Sequence, residues 1–242
     1  MGEPRVVADV LASVVSRGDR SRWPTALVDE CASALGVAGV GLAVTDDRVP
    51  VGIVAATDGV GRAGEDLQFA LGEGICWHAA GARRLVQAPD LSTDDRWVQF
   101  GRSAADAGIA AAFSLPLQVG AVLVGVLDVY RRTAGPLSGE AAGLLSVYGQ
   151  AATAVLLLLT GDDDDRLDDP AGLTALADIR PVVHQAAGMV AIQLGVDLTS
   201  ALLRLQAQAF ATGRPLRDLA EDVVARRTRL DGPPDEHRRT PR

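Results

Sequence analysis

The sequence predicts two folding units of different class. The first is an α+β sandwich, an antiparallel sheet with helices, and the second is an all-α three-helix bundle. Three observations predict this. Up to Leu159, β-rich runs alternate with helical apolar stripes. Gly161-Asp162-Asp163-Asp164-Asp165-Arg166-Leu167-Asp168-Asp169-Pro170 then interrupts every periodicity: like charges repel, and Gly and Pro break helices. Beyond it only helical stripes recur. The expected organisation is an N-terminal helix over 1–22, a main domain over 23–160, an acidic linker over 161–177, a helical domain over 178–230 and a disordered tail over 231–242.

Val6, Val7, Val10, Leu11, Val14 and Val15 lie at helical intervals. A second helix is expected from Pro24 to Leu35, with Pro in the first turn and Gly36 at the end. Val37–Val44 and Val49–Ala55 flank the turn signal Thr45-Asp46-Asp47 and can pair as a hairpin. Leu85–Gln87, Ala112–Val119 and Ala121–Tyr130 are further strand candidates, and the stretch between the hairpin and the later strands reads as irregular. Ser138–Leu159 returns to helix, with Ser138 as N-cap. This order predicts helices on one face of the sheet. Leu144, Leu145, Val155, Leu156 and Leu159 give that helix more apolar surface than one face is expected to hide, which predicts a homodimer through it and the N-terminal helix.

In the second unit, helices are expected over Asp178–Leu194, over Leu198–Thr212 capped by Asp197, and from Pro215 onward. Leu216, Leu219, Ala220, Val223 and Val224 form the buried face of the third. Arg226, Arg227 and Arg229 are expected to close it, cations suiting a helix C-terminus. About 50 residues bury little surface, so the bundle should be marginal alone.

Composition narrows the function. The net charge is −8, the chain has no Lys and no Asn, and all 23 basic residues are Arg. A P-loop, a protein kinase and a Lys Schiff base each lack an essential part. Two cysteines, Cys31 and Cys76, make neither a disulfide framework nor a zinc module. Asp9 within Val6–Val15 argues against a signal peptide, and the apolar run Ala151–Leu159 is short for a membrane span. The expectation is a cytoplasmic protein without membrane contact, enzymatic activity or cofactor.

Glu65-Asp66-Leu67-Gln68-Phe69-Ala70-Leu71-Gly72-Glu73-Gly74-Ile75-Cys76-Trp77-His78 is followed by Asp90-Leu91, Arg96-Trp97, the strand around Ser114-Leu115-Pro116-Leu117 and the strand Val124-Gly125-Val126-Leu127. In this order the motifs resemble a bacterial GAF sensor domain over about residues 20–160, with Ile75 where Pro is usual. The resemblance implies a small-molecule pocket, for which Cys76, Trp77, His78, Trp97, Phe100 and Phe113 are the candidates. Trp and Phe at these spacings are more often core than ligand contacts. Cys76 with His78 also leaves open a haem or redox sensor.

Val183-His184-Gln185-Ala186-Ala187-Gly188-Met189-Val190, then Ala201-Leu202, Leu205, Ala209 and Leu216-Arg217-Asp218-Leu219-Ala220, resembles an ANTAR domain. That resemblance implies dimers binding paired RNA hairpins to prevent transcription termination. The family pattern has Lys where this chain has Ala187 and Arg where it has Gln206, both read as phosphate-contacting positions. Gly188, Arg204, Arg214, Arg226 and Arg227 are the RNA-binding candidates. Together the two resemblances imply a regulator in which a small molecule or partner protein acts on the first domain and RNA on the second. The alternative is an interaction module whose bundle no longer binds RNA and only dimerises or docks on the transcription machinery.

Overall fold

A computed structural model describes residues 3–46, 49–160 and 181–230. The expected linker 161–177, the tail 231–242 and the expected cap Asp178 lie outside the described residues. The chain divides into two compact units.

In the first unit, helices α1 (Glu3–Ser16) and α2 (Trp23–Leu35) precede strands β1 (Gly39–Asp46) and β2 (Val49–Ala56). Three helices follow: α3 (Val60–Leu71), α4 (Ile75–Ala82) and, after the short strand β3 (Val86–Ala88), α5 (Val98–Asp106). β4 (Ala111–Val119), β5 (Val122–Arg131) and the long α6 (Gly139–Thr160) complete it. The sheet is antiparallel throughout, in the order β2-β1-β5-β4-β3.

Two expectations are corrected. The stretch read as irregular is largely helical, and helices cover both faces of the sheet. α1, α2 and α6 pack on one face through Val14, Leu27, Val28, Cys31, Leu145, Tyr148, Val155 and Leu156, against Val40, Leu42, Phe113, Leu127 and Val129. α3, α4 and α5 cover the other, where Ile75, Ala79, Trp97, Phe100 and Ala104 meet Ala112 and Tyr130. Hydrophobic periodicity missed α3 because the face it buries includes Gly61, Gly64, Glu65 and Gln68. α4 has only eight residues and alternates little between apolar and polar.

α6 is capped as expected, Ser138 Oγ accepting from the Ala141 amide at 3.1 Å. Gly139–Leu159 is the one stretch among the described residues long and apolar enough to cross a membrane. In this structure it lies on the sheet. Leu145 is 1% exposed, and Val155 and Leu156 are fully buried within one chain. The apolar surface taken as a sign of dimerisation is therefore mostly spent on the sheet, leaving Leu158 and, on α1, Val15 exposed.

The second unit has α7 (Pro181–Leu194), α8 (Leu198–Thr212) and α9 (Leu216–Val224), each touching the other two. Val183, Ala186, Val190, Ala201, Leu205, Leu216, Leu219 and Val223 form its core. Asp197 caps α8, its carboxylate accepting from the Ser200 amide at 2.8 Å. α9 stops at Val224, so Arg226, Arg227 and Arg229 lie beyond it rather than in its last turn. The Asp222 carbonyl accepts from both the Arg227 and Thr228 amides, which turns the chain away from the helix axis.

Candidate functional site

Between the sheet and α3 lies a cluster of buried polar side chains. It forms because α3 comes unusually close to the strands. A side chain at Gly41 of β1 would collide with Glu65, and one at Gly64 of α3 would collide with the Tyr130 ring. Glu65, Gln68, Ser114 and Asp128 are at most 3% exposed, and Tyr130 is fully buried. Tyr130 Oη donates to Glu65 Oε1 at 2.7 Å and accepts from Gln68 Nε2 at 2.8 Å. The same Gln68 nitrogen lies 3.3 Å from Asp128 Oδ2. Gln68 Oε1 accepts from the Cys76 amide at 2.8 Å, at the start of α4. Gln68 thus ties the end of one covering helix to the buried acids on the sheet. Ser114 and Asp128 are cross-strand partners, and Ser114 Oγ and Asp128 Oδ1 make no hydrogen bond.

Burial sets the protonation of these groups. It pushes the Asp128 carboxyl up to about 6, opposed by hydrogen bonds that include the one from Gln68. Burial, reinforced by the nearby Asp128 charge, holds Glu65 well above the usual carboxylate range. Burial likewise raises the Cys76 thiol well above its ordinary value and the Cys31 thiol to about 12, so neither is a ready thiolate.

The six pocket candidates do not converge. Cys76 and Trp77 line a cavity with Glu65, Gln68, Phe69 and Ile53. Its volume is about 10 Å3, the scale of a single water. Trp97 and Phe100 belong to the core beneath α4 and α5. Phe113 faces the opposite core because successive residues of β4 point to opposite faces, with Ala112 on the Trp97 side. His78 lies two positions after Cys76 on α4, and residues at that spacing do not share a helix face. Cys76 is buried at 3% and His78 is exposed. His78 Nδ1 accepts from Trp97 Nε1 at 2.7 Å, the two rings meeting edge to face. Among the described residues no three His, Cys, Asp or Glu side chains group as a metal would require. The haem or redox reading through Cys76 and His78 loses its geometric basis.

Sequence reasoning quoted Glu65, Gln68, Asp128 and Tyr130 only as parts of motifs and passed over them as a site. Asp128 carried a signal: it is the one acid in a strand otherwise rich in Val and Leu, and a strand with both faces covered has no solvent side for it.

In the second unit the arginines divide. Arg214 reaches Asp222 Oδ2 at 2.6 Å, Arg227 reaches Asp222 Oδ1 at 2.7 Å, and Arg217 reaches Glu221 at 3.1 Å. Arg204, Arg226 and Arg229 have no carboxylate partner among the described residues. Gly188 has open space where a side chain would project. Ala187 is fully buried and Gln206 is 3% exposed. Both face the bundle interior, so the expectation that they are phosphate-contacting positions is corrected.

Fold and site together define an α+β domain with a buried polar cluster, followed in the chain by a small three-helix domain. The GAF domain model matches residues 25–157, more than half of the chain, and the ANTAR domain model matches residues 171–224. The chain belongs to the GAF domain family and carries an ANTAR domain after it, the architecture of a signal-sensing ANTAR regulator. Similar solved structures include the GAF domain of an Acinetobacter phosphoenolpyruvate-protein phosphotransferase, at 16% identity over 64% of this chain and 94% of that one, with a TM-score of 0.49. The corresponding domain from Coxiella burnetii has 14% identity over 64% and 93%, TM-score 0.49. A free methionine-R-sulfoxide reductase from Neisseria meningitidis, in complex with its substrate, has 15% identity over 63% and 87%, TM-score 0.45. No curated protein matches the chain.

Proposed function

We propose that this protein is a non-enzymatic, cytoplasmic regulator of transcription antitermination. Its GAF unit responds to a small molecule or a protein partner, and its ANTAR unit binds RNA hairpins as a homodimer. The observation that carries the RNA reading is the division of the arginines. In a chain of net charge −8, Arg204, Arg226 and Arg229 have no carboxylate partner among the described residues of a unit of ANTAR type, and there they can meet phosphate. Arg214 and Arg227 are held by Asp222. Gly188 leaves room for a backbone to approach α7.

On the input side, the cavity beside Cys76 and Trp77 holds no more than about one water, so a larger ligand has to displace α4 or the Trp77 side chain. Such a displacement pulls on the Cys76–Gln68 hydrogen bond and through it on Glu65, Asp128 and Tyr130. The signal acts only if it binds the displaced state more tightly than the closed one.

The experiment is RNA binding by the full chain as a function of salt, using paired stem-loops. Binding that weakens steeply as salt rises is expected, and each of Arg204→Ala, Arg226→Ala and Arg229→Ala should lower the slope of log K against log salt by about one. Asp222→Asn should steepen the slope, because it releases Arg214 and Arg227. Absence of RNA binding at low salt by folded protein overturns the reading.

A second reading is favoured by one observation. Leu203 and Phe210, seven residues apart on α8, are 46% and 58% exposed on one helical face. If RNA binding fails and Phe210→Ser converts a dimer to monomers, the bundle is an interaction module.

A further inference from the structure

The second unit contains a groove that the arginine pattern in the sequence did not reveal. It lies between α7 and the chain leaving α9 and has a volume of about 570 Å3, within the range of small-molecule sites. Met189, Ile192 and Val223 form an apolar side, and Arg226 and Arg229 stand with them on its lining.

Four features mark it as built to receive something. Ile192 is 87% exposed, the highest value for a large apolar side chain among the described residues. Both lining arginines are exposed and have no carboxylate partner among the described residues, whereas Arg214, Arg217 and Arg227 are all paired. Gln193 donates through Nε2 to the Leu230 carbonyl at 2.5 Å, which fixes its amide and leaves Oε1 available as an acceptor. Finally, Arg226 occupies the left-handed region at φ 58, where glycine is usual after a helix. Its amide donates to the Val223 carbonyl at 2.9 Å, and the Asp222 clamp on Arg227 holds the following turn. A non-glycine residue kept there by its surroundings is an outlier of the kind that collects at functional sites.

An apolar wall, a fixed amide acceptor and two free guanidiniums match the parts of one nucleotide. We infer that this groove is a subsite for a single unstacked nucleotide of a bound RNA, a deepening that rests on the RNA reading above. The base lies against Met189, Ile192 and Val223, its amino or imino hydrogen meets Gln193 Oε1, and its phosphate lies between Arg226 and Arg229. The nucleotide has to come from a loop or bulge. Bases within an A-form helix are stacked, and their edges are out of reach of such a groove, whereas loop bases can be splayed out. Adenine, cytosine and guanine offer an amino hydrogen and uracil an imino one, so the acceptor on Gln193 suits any unstacked base and the groove selects an unstacked nucleotide rather than one base.

The test measures binding of the full chain to RNA stem-loops with randomised loops and to the same stems ending as blunt duplexes. The wild type should prefer the stem-loops by roughly tenfold. Ile192→Ser should weaken stem-loop binding by roughly tenfold while leaving the salt slope unchanged, because it removes base contact and no charge. Arg226→Gly should lower the slope by about one and at the same time raise the melting temperature of the second unit, since glycine adopts this conformation without strain. That pairing separates a binding role from a structural one.

Wild-type binding to stem-loops with Ile192→Ser and Arg226→Gly indistinguishable from it overturns the groove and leaves the RNA reading standing. Equal affinity for loops and blunt duplexes does the same. Loss of dimerisation in Ile192→Ser reassigns the groove to a second copy of the chain and overturns the inference. No RNA binding by the wild type overturns both readings.

Discussion

The two units treat polar groups in opposite ways. In the GAF unit, two carboxyls, a phenol and an amide lie in the interior, linked by hydrogen bonds and held close by glycines that let α3 approach the sheet. In the ANTAR unit the interior is built of Val, Leu and Ala with Gln206, and the charges lie outside, three arginines paired and three without a carboxylate partner among the described residues. A buried polar network changes energy when its geometry changes, because every member needs its partner. A surface array of guanidiniums needs only a polyanion. The contrast is in keeping with the proposed division into a first unit that takes the signal and a second that binds RNA.

The sharpest way to break this comparison is to place a charge on α6. Leu156 is fully buried against the sheet, and Leu158 two residues later is 46% exposed. Leu156→Glu should abolish cooperative unfolding of the GAF unit, at a cost above about 4 kcal/mol. Leu158→Glu should change stability by less than about 0.5 kcal/mol. Calorimetry of both variants checks this. If the protein dimerises through α6, Leu158→Glu also gives monomers by sedimentation, which Leu156→Glu cannot report cleanly.

The buried acids give the next largest effect. Asp128 and Glu65 have their carboxyls raised in the folded state, so the fold binds protons more tightly than the unfolded chain. The contribution of Asp128 to stability is complete below the ordinary carboxylate range near pH 4 and is lost as pH rises through about 6, and that of Glu65 has the same sign. Asp128→Asn keeps an acceptor for Gln68 and removes the charge. It should raise the stability of the GAF unit at pH 8 by on the order of 2 kcal/mol and flatten its melting temperature between pH 4.5 and 8. A variant as pH-dependent as the wild type would disconnect Asp128 from the pH response.

The smallest effect concerns the ANTAR unit. Gly188 sits within α7 with open space around it, so Gly188→Ala should stabilise that helix by about 1 kcal/mol. The same methyl should weaken RNA binding if a backbone approaches there. A gain in stability with unchanged RNA affinity would remove Gly188 from the interface.

Much of this was legible in the sequence, and the reasons are local. β1, β2, β4, β5 and α6 follow from apolar runs, turn residues and a Ser cap. Asp197 and Pro215 mark the starts of α8 and α9. α3 was not legible because its buried face carries Glu65 and Gln68, and hydrophobic periodicity cannot see a polar face turned inward. The pocket candidates were chosen as aromatics close in sequence, and strand alternation sends Phe113 to the far side of the sheet. The free and the paired arginines looked alike, since Asp222 reaches Arg214 across eight residues.

The sequence by itself determined the two-unit organisation, the strand and helix order of each, and the family resemblances, because these depend on periodicity, caps and breakers read along the chain. Only the tertiary structure decided which face each helix covers, that Glu65, Gln68, Asp128 and Tyr130 meet, and that Arg226 and Arg229 share a groove with Ile192. Those outcomes depend on how closely two elements approach. That distance is fixed by glycines, pleat direction and carboxylate partners on different elements, which meet only once the chain has folded.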